Sequence, residues 1–354
     1  MMESIWWTHI RKAADYIETV VNTVLSGQSV LLSSTDIIPW PAEMWETVEN
    51  LLRERNPAYR LIELGDPGEE PDKFMLEHFC RRESRVRYRT NIGAAKFLAE
   101  LPDSTLHSSY VRIRLTSERG LKNWAAFASE YSRLSSKEAG KGCFLLEASG
   151  VRNLPRLKGV KVIDWDEMID TYDVYSFCAV YSAGTGISSV LRPYLVELTS
   201  TICQNDVELA KACMDAANDF VKDPLQVLQG ITGSGQRSNG DSFRLPSEEM
   251  VESAVWEAQF RSVFPALEKF RGKYVKQNAK IIAACLPIPD YGNRLIKDSW
   301  EVEFRHLTSL VGAGKLNIPQ NEYDLIDFLR IKRNELAHLS AIEFEDVRRI
   351  LALS

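Results

Sequence analysis

The chain has no run of about 18 apolar residues, so no segment is long enough to cross a bilayer as a helix. None of its six cysteines forms a C-x-x-C pair, and none of its five histidines is spaced with them as a zinc ligand set. Cys80, Cys143, Cys178, Cys203, Cys213 and Cys285 are scattered through apolar or helical surroundings. They read as reduced, mostly buried thiols, and no metal or other cofactor is expected. The stretch from Met1 to His9 is acidic and then aromatic, without the basic and apolar segments of a secretory signal, which points to the cytosol. A net charge of −6 excludes a generally basic surface, so any nucleic-acid site must be local.

What is present is an alternation of helix and strand patterns over the first half. Apolar residues from Ile10 to Leu25 recur at helical spacing and end at Gly27. Short apolar strands are predicted at 29–33, 59–64, 110–115, 142–147 and 160–164, with helices at 42–54 and around Leu121–Tyr131 between them. Strands separated by helices give an α/β domain with a mostly parallel sheet, assigned to residues 1–185. A phosphate loop after the first strand would need glycines and a Lys beside Ser or Thr, but Ser33-Ser-Thr-Asp-Ile-Ile-Pro-Trp40 has neither glycine nor lysine. Glu147, at the end of the most apolar strand, stands where a magnesium-binding acid would be, or is simply solvated. In Arg81–Arg89, the residues Arg85, Arg87 and Arg89 alternate with Val86 and Tyr88, and as a strand they would share one face. Such a row suits RNA phosphates or an acidic partner; a solvent face balanced by Glu77 and Glu83 is the alternative.

From about 187 the strand signals fade. Residues 188–222 read as helix, and the glycine, serine and polar residues of 233–242 read as a flexible loop, giving a connector over 186–245. Ser247 is a candidate N-cap for a new helical domain over 246–354, in which all later segments look helical. That domain has 15 Lys and Arg against 16 Asp and Glu, so it carries no strong electrostatic funnel.

On the helix predicted at 322–340, 100° per residue places Leu325, Phe328, Leu329, Leu336 and Leu339 on one stripe. Arg330, Arg333, Asn334, Ala337 and His338 fall on the opposite side, with Asn334 and His338 at i and i+4. A histidine exchanges protons near neutral pH, and an arginine grips phosphate and stabilises charge developing on it. The pair suffices for metal-independent RNA cleavage in which the substrate's own 2′-hydroxyl attacks.

Arg333-Asn-Glu-Leu-Ala-His338 resembles the R-N-x-x-x-H motif of HEPN domains. Trp256-Glu-Ala-Gln-Phe260, Pro265, Glu268 and Arg271 resemble an early helix of the same family. The resemblance implies an all-α bundle that dimerises across the Arg333/His338 helix, so that two Arg/His sets meet in one cleft and cleave RNA. It implies His338 as acid/base, Arg333 as phosphate stabiliser and Asn334 as orienting group, with Arg330, Glu268, Glu303 and Arg305 in support. Such proteins are often toxins or antiphage effectors of prokaryotic defence systems with a protein partner. Others keep the fold without catalysis and act as adaptors that recruit another enzyme. The first 150 or so residues are similar to degenerate STAND-type P-loop domains of bacterial conflict systems, which implies a sensor or scaffold that has lost ATP chemistry.

Overall fold

The computed structural model describes residues 4–35, 38–65, 67–135, 142–150, 157–290, 292 and 294–353; Asp36 and Ile37 of the loop after the first strand lie outside these. Its backbone contacts divide the chain into two compact units, Met1–Asp173 and Val174–Ser354.

The first unit opens with α1 (Ser4–His9), α2 (Arg11–Leu25), β1 (Ser29–Ser34), α3 (Pro41–Arg55) and β2 (Arg60–Leu64). There follow α4 (Pro71–Phe79), α5 (Arg82–Arg85), α6 (Ala94–Glu100), β3 (Ser109–Leu115) and α7 (Glu118–Ser135). β4 (Cys143–Ser149), β5 (Val160–Asp164) and α8 (Trp165–Met168) complete it. Helix α2 buries Ala13, Tyr16, Ile17, Val20, Val21 and Val24 on one face and stops at Gly27, whose φ of 81° suits a residue without Cβ. All six residues of β1 are buried, as expected of a central parallel strand covered on both faces.

The five strands are all parallel, in the order β2-β3-β4-β1-β5. On one face, Leu31, Val111, Ile113, Phe144 and Leu146 pack with Leu121, Trp124 and Tyr131 of α7. On the other, Cys143 Sγ meets the Val24 carbonyl of α2 at 3.7 Å, and Arg112 stacks on Trp45 of α3. The strand order reverses at β1, and the carboxyl ends of strands at such a point are where ligands of open α/β sheets sit. Here that end is lined by acids: Ser33 donates to Asp164 at 3.1 Å and the Thr35 amide to Asp166 at 2.6 Å. Carboxylates repel a phosphate, in keeping with the missing glycines and lysine.

Glu147 is not solvated. Arg112 grips it through Nε at 2.8 Å and Nη2 at 3.4 Å, reaches Glu63 at 3.0 Å, and lies 4.2 Å from the Trp45 ring centre. The glutamate that looked like a metal ligand is thus committed to a buried ion pair.

One glycine is required for packing. A Cβ on Gly142 would press against the carbonyl oxygens of Leu106 and Ser109, the latter at 2.8 Å. Gly142→Ala is therefore expected to destabilise the first unit by about 1–3 kcal/mol, read as a lower denaturant midpoint by tryptophan fluorescence.

The second unit takes in most of α9 (Thr171–Tyr181), then α10 (Arg192–Cys203), α11 (Val207–Asp215), α12 (Ala217–Phe220), α13 (Pro224–Ser234) and α14 (Glu248–Gln277). It ends with α15 (Ala279–Ala284), β6 (Ile288–Pro289), β7 (Leu295–Ile296), α16 (Phe304–Gly312), α17 (Gln320–Ala337) and α18 (Phe344–Leu351). The stretch read as one helix over 188–222 is three, broken at Gln204, whose φ is 51°, and at Ala216. The stretch 186–245 falls within this unit, where α10 packs along α14.

Two expectations need correction here. The polar segment 233–242 is not a free loop: α13 runs to Ser234, Gln236 bridges Ser242, and Arg237 and Ser238 bond Asp206 and Glu208. Burial pushes the Asp206 carboxyl above its ordinary value even though Arg237 opposes the shift. Nor is everything after 246 helical, because β6 and β7 form an antiparallel pair. Among the described residues, no helix is long and apolar enough to cross a membrane.

Candidate functional site at the end of α17

Helix α17 buries Ile326, Leu329 and Leu336 and leaves Leu325 and Phe328 half-buried. It ends at Ala337, one residue before the histidine. His338 is the C-cap, with φ −102° and its amide bonded to the carbonyls of Asn334 and Glu335, and its side chain is exposed. Leu339 takes a left-handed φ of 61° and is 73% exposed, so it leaves the stripe that a continued helix would have given it. The i, i+4 placement of Asn334 and His338 survives in the backbone only: among the described residues no hydrogen bond joins their side chains.

The turn that carries His338 is clasped from α14. Gln259 donates to the Ile342 carbonyl at 2.8 Å and accepts from the Ile342 amide at 2.7 Å, wholly within the core. Trp256 donates its indole N–H to the Leu336 carbonyl at 2.9 Å. Lys332 ties α17 to α18 through Asp346 at 2.9 Å and also pairs with Glu335 of its own helix at 3.0 Å. Burial works against the Lys332 charge, and the bonds to Asp346 and Glu335 together outweigh it, holding the ammonium above its ordinary value.

Arg333 is half-buried, with its guanidinium 5.5 Å from the centre of the Phe264 ring, a cation–π placement. Among the described residues no carboxylate lies within 4.0 Å of it. By contrast Arg261, Arg271, Arg294, Arg305, Arg330 and Arg348 of the same unit each hold an acid.

The expected supporting residues are engaged elsewhere. Arg330 pairs with Asp327 at 2.8 Å. Glu268 pairs with Arg271 at 2.7 Å, and Arg271 also donates to the carbonyls of Trp300 and Val302. Glu268 sits roughly 18 Å further along α14 than Trp256, at about 1.5 Å rise per residue. Glu303 caps α16 and, with Asp290, holds Arg305, at 3.2 and 2.7 Å respectively. The buried histidine of that cluster, His306, accepts from the Glu303 amide at 3.0 Å and faces Asp290 at 3.4 Å. It fastens α16 to the β6–β7 hairpin, a role that nothing in the sequence spacing announced.

The arginine row does not form. Residues 82–85 are the helix α5 and the following residues a turn, so Arg85, Arg87 and Arg89 do not share a strand face. Arg85 turns inward to the carbonyls of Glu77 and Cys80 at the end of α4, and Arg89 bonds the carbonyls of Val86 and Tyr88; Arg87 is exposed. Orphaned helix-end carbonyls outcompeted the alternation pattern.

Beside the His338 turn lies an open groove of about 700 Å³ between the start of α13, the start of α14 and residues 339–341. Sequence reasoning missed it, because it joins three separate segments, the last of them more than 80 residues beyond the other two.

The chain thus joins an α/β unit built on a parallel sheet to a second, largely helical unit with one short hairpin. No family model matches it, and no curated protein matches it. Among solved structures, the ORC1 protein of Aeropyrum pernix, solved in complex with DNA, aligns over 96% of this chain and 91% of that one. The identity is 13% and the TM-score 0.31, too slight a likeness to carry an argument.

Proposed function

We propose that the second unit is a HEPN-like ribonuclease that cleaves RNA without a metal, working as a homodimer through α17 under control of the first unit. The observation that supports this best is Arg333: a half-buried arginine with its guanidinium over an aromatic ring and no acid beside it among the described residues, close in sequence to an exposed histidine. An uncountered arginine suits an incoming phosphate. In the proposed step the 2′-hydroxyl loses its proton to His338 and attacks phosphorus. The P–O5′ bond then breaks and O5′ takes up the proton that the imidazole received, leaving a 2′,3′-cyclic phosphate and a 5′-hydroxyl, while Arg333 stabilises the charge on the phosphoryl oxygens. The first unit is read as a degenerate P-loop-like sensor that does no ATP chemistry, and a role in prokaryotic defence completes the proposal.

The test is labelled structured RNA incubated with the full chain in EDTA. Cleavage is expected to fall by about 10²–10⁴-fold in His338→Ala and Arg333→Ala while dimerisation persists. The second reading is a non-catalytic HEPN-like adaptor that dimerises and recruits a partner enzyme. It is favoured by the acidic groove next to the His338 turn, since carboxylates repel RNA. Absence of cleavage by the wild-type chain, with toxicity on overexpression indifferent to His338→Ala, would decide for the adaptor.

A further inference from the structure

The groove beside residues 339–341 combines an apolar floor with an acidic rim. Leu225, Val251, Val255, Trp256 and Leu339 supply the apolar surface. Asp223, Glu248, Glu249 and Glu252 supply four negative charges against Lys222, whose ammonium is held by Asp219 at 3.3 Å. Local roles account for part of this. Asp223 caps α13 through the Gln226 amide, and Glu248 and Glu249 favour the positive end of α14. Yet among the described residues none of the four acids is in an ion pair, so the rim's charge faces the groove and solvent uncompensated.

The apolar floor is preset. Trp256 is fixed by its bond to the Leu336 carbonyl before anything binds, so little side-chain freedom remains to be lost on its burial. Leu339 stands 73% exposed on a turn whose other end is locked by Gln259, and the fold's own core makes no use of it. A rigid tryptophan, an exposed leucine and a charged rim are the makings of a peptide anchor pocket.

We infer that this groove docks a segment of a partner protein that carries apolar anchor side chains flanked by Lys and Arg. Charge complementarity selects that occupant: a nucleic acid is repelled by the rim, and an uncharged apolar ligand leaves four carboxylates without partners. The inference stands whether or not His338 cleaves RNA, because no groove residue belongs to the Arg333–His338 set.

The experiment is selection of a random 12-residue phage-displayed library on the immobilised full chain, followed by fluorescence anisotropy with labelled synthetic copies of the winning peptides. Enriched sequences are expected to place Leu, Ile, Phe or Trp between Lys and Arg. Their affinity should fall about tenfold or more in Glu248→Lys/Glu252→Lys and in Leu339→Asp, and weaken with added salt. All three positions are exposed, and a circular-dichroism melt checks that the variants fold. Failure to enrich any sequence, enrichment of acidic or neutral peptides, or affinities indifferent to these variants would each overturn the proposal. Self-association of the chain that Leu339→Asp abolishes, with no peptide selected, would assign the groove to a second copy instead.

Discussion

Replacing Gln259 with leucine is expected to lower the stability of the second unit by about 2–5 kcal/mol, because it strands two buried backbone groups at once. Gln259 is 1% exposed and Ile342 5%, so neither the Ile342 amide nor its carbonyl can turn to water when the side-chain amide is lost. Each such orphan costs about 1–3 kcal/mol. Leucine restores the volume but neither bond, which separates this loss from a packing defect. The local readout is hydrogen exchange at the Ile342 amide, expected to quicken well before the rest of α14 opens. An unfolding free energy within about 0.5 kcal/mol of wild type would show that the turn is held by Trp256 and Lys332 alone. The variant also bears on function, since the same clasp fixes the turn that carries His338.

Arg112→Leu is expected to cost the first unit about 3–5 kcal/mol, the usual result of stripping one partner from a buried ion pair. Glu147 has a 14% exposed side chain and would keep only the half-exposed Arg114, at 3.5 Å. The Trp45 ring would lose its cation as well. The double variant Arg112→Leu/Glu147→Leu should regain most of that stability, because two apolar groups of similar size carry no desolvation penalty. Tryptophan fluorescence follows this unit selectively, as six of the eight tryptophans lie within it. A double variant no more stable than the single one would mean that the pair contributes net stability rather than merely tolerating burial.

How much could be read in advance depended on the range of the forces involved. The strands at 29–33, 59–64, 110–115, 142–147 and 160–164 appear within two residues of those positions, because short apolar runs between helices have few other ways to be buried. The six cysteines are free and five of them buried, as their apolar surroundings suggested. The alternating arginines of 85–89 misled, since alternation is a weak signal against the demand of helix-end carbonyls for donors. The segment 233–242 misled because composition cannot reveal that Asp206 and Glu208, about 30 positions earlier, wait to receive its polar groups.

At the candidate site the division is sharper. The sequence by itself determined that Arg333, Asn334 and His338 lie within two turns of one another at the end of an amphipathic helix, since 3.6-residue periodicity is local. Only the tertiary structure decided that the helix stops at Ala337, that Arg333 rests on Phe264, and that the expected supporting residues Arg330, Glu268 and Arg305 are spent on other partners. Those outcomes depend on which buried carbonyls, amides and charges meet across segments far apart in the chain. Burial makes each unmet polar group costly, so long-range pairing overrode what local spacing allowed.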